Sequence, residues 1–133
     1  MTHAGARAVR FLLDTNFLMI PGKFKVDVFE QLRGFGKDSL YTLDLVLREL
    51  ERLALGSGKD SGHARVALQM LRKNGVAVLP TDREGHTDMA IRRIAAKRHY
   101  TVCTQDRELI KKLRKDRVPV ITMRQGRYLK KVD

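Results

Sequence analysis

Cysteine is almost absent from this chain. Cys103 stands alone, so neither a disulfide frame nor a cysteine-based zinc site is available. The histidines, His3, His63, His86 and His99, show no zinc-type spacing. No apolar run approaches the roughly 20 residues of a membrane span, and Met1 to Arg10 lacks the apolar middle of a secretion signal. These absences lead to the expectation of a reducing, cytoplasmic setting without a membrane. Aromatic residues are few, at 6%. There is no Gly-x-x-x-x-Gly-Lys-Ser/Thr phosphate loop, and no Ser/His/Asp or Cys/His set suggests nucleophilic catalysis. Acids are also scarce: 15 Asp and Glu face 27 Lys and Arg, a formal net charge of +12 on 133 residues. Such a field favours polyanionic partners, nucleic acid before anionic membrane. The imbalance is steepest near the end, where Lys111, Lys112, Arg114, Lys115, Arg117, Arg124, Arg127, Lys130 and Lys131 face only Asp116 and Asp133.

The length suits one domain with a real core, residues 1–133, with 1–8 as an N-terminal extension and 124–133 as a basic tail. The first expected strand, Val9 to Asp14, is a short apolar run of the kind buried on both faces. A helical turn at Phe17 to Ile20 is expected to break at Pro21-Gly22. A helix follows over Asp27 to Arg33, then a strand at Leu40 to Leu43. Next come a helix from Asp44 to Leu55, an exposed Gly56-Ser57-Gly58 loop, and a helix from Ser61 to Gly75. The stripe Ala64, Ala67, Leu68 and Leu71 marks the buried side of that last helix. Val76 to Leu79 reads as a short buried strand and Thr81 to His86 as polar loop. A helix from Thr87 to Arg98 buries Ile91, Ile94 and Ala95. It is followed by a strand at Tyr100 to Thr104, a helix from Asp106 to Lys115, and a strand at Val118 to Met123. Beyond Arg124 the chain is either a basic edge strand or disordered. Strands alternating with helices imply βαβ units, right-handed crossovers and a mostly parallel sheet covered on both faces.

Asp14, Glu49, Asp88 and Asp106 stand apart from the other acids by position. Asp14 and Asp106 close or follow apolar strands, and open parallel sheets place ligands at that edge. Glu49 shares a helix stripe with Leu45, Val46 and Leu53, where an unpaired carboxylate is costly. Asp88 opens a helix beside Ile91. Each also has a plain structural role on offer: Asp14 and Asp106 as helix caps, Asp88 at a helix dipole, Glu49 paired with a buried arginine. Collected at one sheet edge they repel one another unless a positive charge lies among them. Carboxylates without clustered His or Cys suit a hard cation, Mg²⁺ or Mn²⁺. Acids, metal and a basic protein together point to phosphodiester hydrolysis.

These residues resemble the motifs of the PIN-domain nucleases. Leu13-Asp14-Thr15-Asn16 is similar to that family's opening strand-end motif, and Val46-Leu47-Arg48-Glu49-Leu50 to its helix-borne glutamate motif. Thr87-Asp88-Met89-Ala90-Ile91 resembles the third acidic motif, and Thr104-Gln105-Asp106-Arg107-Glu108-Leu109 the Thr-x-Asp motif. The resemblance runs from Leu12 to about Met123. It implies a three-layer αβα fold with a parallel five-stranded sheet of order 3-2-1-4-5. It also implies Mg²⁺ or Mn²⁺ among Asp14, Glu49, Asp88 and Asp106, with Asn16 and Thr104 supporting the site by hydrogen bonds. Gln105 stands where Asn is common, a mild departure because the amide is kept.

The implied activity is a metal-dependent endoribonuclease in rRNA or other RNA processing. Residues 13–21 and 25–29 look most like free-standing archaeal relatives of rRNA-processing PIN nucleases. Arg48, Arg52, Lys111, Lys112, Arg124 and Arg127 are expected to grip RNA phosphates. The alternatives are a VapC-type toxin ribonuclease of a toxin–antitoxin pair and a PIN-fold module that holds RNA without cutting it. RNA is the expected partner; a homodimer, ribosome-assembly factors or an antitoxin go with the respective readings. A haloacid-dehalogenase site expects an acid at position 16, where Asn16 stands, and a receiver domain an early acidic pair that is not found.

Overall fold

A computed structural model of the chain describes residues 9–36, 38–81 and 85–132; Asp38 is described by its backbone alone. The expected 1–8 extension, residues 82–84 of the expected Thr81 to His86 loop and Asp133 lie outside those residues.

Strand β1 (Val9–Leu13) is central, and its Phe11, Leu12 and Leu13 are fully buried. It pairs in parallel with β2 (Asp38–Leu43) on one side and β4 (Tyr100–Cys103) on the other. Outside β2 lies β3 (Ala77–Leu79); outside β4 lie β5 (Val120–Arg124) and then β6 (Tyr128–Lys131). The order is β3-β2-β1-β4-β5-β6, with β6 alone antiparallel. The expected αβ architecture and the order of the first five strands are borne out. The strand count is corrected from five to six.

The sixth strand comes from the basic tail. Gln125 and Gly126 both adopt positive φ (55° and 63°), which reverses the chain, and the Arg127 N–H donates to the Arg124 carbonyl (3.1 Å). One side chain from across the molecule secures it. The Gln31 amide donates to the Arg127 carbonyl (2.9 Å) and accepts from the Leu129 N–H (2.8 Å). Each such bond contributes about 1 kcal/mol. Gln31→Ala is therefore expected to lower stability by about 1–2 kcal/mol and to speed amide exchange at Leu129 selectively, as NMR hydrogen exchange would read.

Helices α1 (Thr15–Leu18), α2 (Ile20–Phe24) and α3 (Val28–Leu32) follow β1, with a 3₁₀ turn at Arg33–Phe35. Pro21 does not break the chain here as expected. It lies in the first turn of α2, where a missing N–H costs nothing. Gly22 lets α2 approach the helix of residues 59–73 closely: a Cβ on it would lie 3.0 Å from the His63 Cα.

Helices α4 (Asp44–Ala54) and α5 (Lys59–Lys73) join β2 to β3, and α6 (Thr87–Lys97) and α7 (Arg107–Lys115) flank β4. The stripe Ala64, Ala67, Leu68 and Leu71 is buried as expected, and Gly56, Ser57 and Gly58 are exposed. Strand β3 departs from its expected burial. Its apolar run resembles a core strand, but it forms the outer edge of the sheet, and Ala77 and Val78 are exposed.

Candidate functional site at the carboxyl edge of the sheet

The chain passes from β1 outward to β2 and β3, then returns to the other side of β1 as β4. The carboxyl ends of β1 and β4 therefore border the crevice where strand order reverses, the usual ligand position in open parallel sheets. Asp14 follows β1 and Thr104 follows β4, and the Asp14 N–H closes the seam on the Cys103 carbonyl (3.0 Å).

Asp14 is 5% exposed. Its Oδ1 accepts from the Thr15 N–H (2.8 Å) and its Oδ2 from the Thr104 hydroxyl (2.7 Å). Thr104 is wholly buried, and its oxygen also accepts from the Asp106 N–H (3.1 Å). Burial pushes the Asp14 carboxyl up to about 6 against an ordinary 3.8. The Thr104 and Thr15 hydrogen bonds oppose that rise, and the charges of Asp88 and Asp106 add to it.

The other acids converge on this edge. Asp106 caps α7, its Oδ1 accepting from the Glu108 and Leu109 N–H groups (2.9 and 3.2 Å). Glu49, half-buried on α4, accepts from the Thr15 hydroxyl (2.9 Å) rather than pairing with a buried arginine. Asp88, half-buried at the start of α6, has its carboxyl raised, first by burial and then by Asp106, with Glu49 contributing. Lys112 and His86 pull it back. Asp14, Asp88 and Asp106 thus lie in one another's fields, and Glu49 joins through Asp88. The cap roles of Asp14 and Asp106 are real, and they coexist with this convergence.

Asn16 turns to the β4–α7 connection, its Oδ1 accepting from the Gln105 N–H (3.0 Å). Gln105 reaches further than an asparagine would. Its Oε1 accepts from the Thr122 hydroxyl (2.7 Å) and the Met123 N–H (2.6 Å), tying this connection to the end of β5. Two contributors were not singled out from the sequence: Thr15, which orients Glu49 and grips Asp14, and Gln105 as a clamp. Thr15 stands inside a quoted motif, but its reach to Glu49 spans 34 residues.

The cations distribute unevenly. Arg48 and Arg52 line a cleft of about 360 Å³ together with Glu49 and His86. Lys112 is close enough to act on Asp88. Lys111 pairs on the surface with Glu108 (3.6 Å). Exposed Arg124 and Arg127 lie at the same end of the sheet, two strands from β1, or about 10 Å at the usual spacing.

Among the described residues, no three Asp, Glu, His or Cys side chains stand close enough to hold a metal ion as arranged. The chemistry of the donors nonetheless fits a hard divalent cation. All are carboxylate oxygens, burial first and mutual repulsion second hold Asp14 and Asp88 above the ordinary carboxyl range, and a cation is the charge that would offset both.

Comparison with known proteins agrees with this architecture. A family model described as a PIN like domain matches residues 11–126. Among solved structures, the chain is similar to that of the PIN domain endonuclease Utp24: 24% identity, 92% of this chain and 90% of that one covered, TM-score 0.77. It is also similar to a domain of a functionally unknown protein from Methanocaldococcus jannaschii: 15% identity, 87% and 91% covered, TM-score 0.60. No curated protein matches the sequence.

Proposed function

The chain belongs to the PIN-like domain family, and from that premise we propose that it is a metal-dependent endoribonuclease that hydrolyses RNA phosphodiester bonds in RNA processing. The observation that carries this reading is the buried Asp14 carboxylate at the switch point of the sheet, gripped by Thr104 and Thr15 and set among three further acids. Asp14, Glu49, Asp88 and Asp106 would hold Mg²⁺ or Mn²⁺. Bound there, such an ion supplies a water of lowered pKa and stabilises charge on the scissile phosphate.

The protein's own part is positioning. Thr104 fixes the Asp14 carboxylate, Thr15 fixes Glu49, and the α7 N-terminus fixes Asp106. Arg48 and Arg52 in the cleft, with Lys112, would take RNA phosphates, with Lys111, Arg124 and Arg127 extending the basic surface. The endonuclease description of the similar Utp24 structure favours internal cutting.

The test is cleavage of an end-labelled structured RNA and of a circular RNA, with Mn²⁺, with Mg²⁺ and with EDTA. Linearisation of the circle that requires metal is the expected result. Binding without metal-dependent cuts, across several RNAs including rRNA precursors, would overturn it in favour of a non-catalytic RNA-binding module. Thr104→Val removes the hydroxyl that holds Asp14 while keeping the side chain's shape. Cleavage should fall about 10–100-fold, the usual effect of losing a group that orients a ligand, and partial rescue by Thr104→Ser would separate positioning from a packing defect.

A further inference from the structure

On the sheet face beneath α6, away from the carboxylates, lies a second concavity of about 380 Å³, within the size range of small-ligand sites. In the β1 register Arg10 stands beside Tyr100 of β4, and Leu12 beside Tyr41 of β2. Residues two apart on a strand share a face, so Arg10 and both tyrosines look the same way. The two rings meet edge to face, centroids 5.5 Å apart and planes at 85°. The end of α6 adds Lys97 and Arg98 above them, and Leu79 and Ile94 give an apolar wall.

Two features set this pocket apart from a generally basic surface. No acid lines it. Among the described residues, moreover, Arg10, Lys97 and Arg98 form no ion pair, whereas Arg92 is held bidentately by Asp116 and Lys111 by Glu108. Unneutralised cations around a cavity attract an anion, and an aromatic and apolar floor attracts a flat ring. Tyr41 is half-buried and Tyr100 nearly fully buried, so Tyr41 is the more accessible of the pair. Arg10 lies in β1 four residues before Asp14, about 13 Å from it, and none of Asp14, Glu49, Asp88 and Asp106 lines the pocket.

We propose that this pocket binds a nucleotide unit, its base against Tyr41 and its phosphate among Arg10, Lys97 and Arg98. The unit belongs either to an RNA strand that runs along this face or to a free mononucleotide. The site does not require that the carboxylate edge cuts RNA.

Binding is measured on the full chain in EDTA at 50 mM salt, with 5′-AMP followed by NMR saturation transfer and a labelled single-stranded RNA octamer by anisotropy. The variant is Lys97→Glu with Arg98→Glu. Lys130→Glu with Lys131→Glu on β6 makes the same change in net charge at a distance. The α6 variant should weaken binding by about tenfold or more, as loss of two phosphate contacts implies, and the β6 variant by much less. Saturable AMP binding that the α6 variant loses identifies a free-nucleotide site; an effect on the octamer alone identifies an RNA-strand subsite. Equal losses in both variants, no loss in either, or displacement of AMP by inorganic phosphate at the same concentration would overturn the proposal. Because the assay contains no metal, it can succeed where cleavage fails, and cleavage can succeed where it fails.

Discussion

Asp14→Asn is expected to reduce metal-dependent RNA cleavage by more than about 100-fold, the upper end of what losing an outer-sphere partner costs, while RNA affinity in EDTA stays the same or rises slightly. The direction follows from two properties of the site. Asparagine keeps the shape and can still accept from the Thr15 N–H, so the β1–α1 junction should survive. It removes the anion that the neighbouring acids surround, and with it the carboxylate a divalent cation would use. RNA affinity should not fall, because the basic residues are untouched and a carboxylate that repels phosphate has gone. Single-turnover cleavage with Mg²⁺ or Mn²⁺, beside anisotropy titrations in EDTA, separates the two effects. Cleavage within a few-fold of wild type in a preparation free of contaminating nuclease would remove Asp14 from the chemistry. Loss of cleavage together with loss of binding would mean that Asp14 holds the RNA surface in shape rather than the reacting centre.

Much of this arrangement is legible in the sequence because it is local. The run Phe11-Leu12-Leu13 ending at Asp14 shows a central strand and its polar end, and the stripe on α5 shows a helix and its buried side. Where the reading stopped short, distance or context was the cause. Strand β6 buries Leu129 and exposes Tyr128, Lys130 and Lys131, too weak an alternation to separate an edge strand from a loose tail. What fixes it is Gln31, 98 residues away. Gln105 reads as a mild substitute for a shorter amide, yet its extra methylene lets the same group reach Thr122 and Met123. The apolar run at β3 lies at a sheet edge that nothing local reveals, and Pro21 is as compatible with a first helical turn as with a break. The helix stripe it shares with Val46 and Leu53 shows that Glu49 is half-buried, but its partner, Thr15, depends on how α1 meets α4.

The same asparagine should make the metal-free protein more stable, and only above a defined pH. The Asp14 carboxyl sits at about 6 in the folded chain against 3.8 ordinarily, chiefly because it is buried. A raised carboxyl means that the folded state keeps a proton which the unfolded chain has already released. Between roughly pH 4 and 6 the native state therefore binds more protons, and its stability falls as pH rises through that window, levelling off above it. At neutral pH this amounts to about 3 kcal/mol, or roughly 10 °C in Tm for a chain of this size. Asparagine does not titrate, so urea unfolding in EDTA should show wild type and Asp14→Asn close together near pH 4 and diverging in favour of the variant by pH 7.5. The variant's loss of the charged acceptor for Thr104 will trim the gain. Saturating Mn²⁺ or Mg²⁺ should then raise the stability of wild type and narrow the gap, since an ion that binds only the folded state stabilises it by mass action. Parallel pH curves in EDTA would show that Asp14 is not held at an energetic disadvantage. A gap that metal leaves unchanged would show that no divalent cation is held by the Asp14 carboxylate.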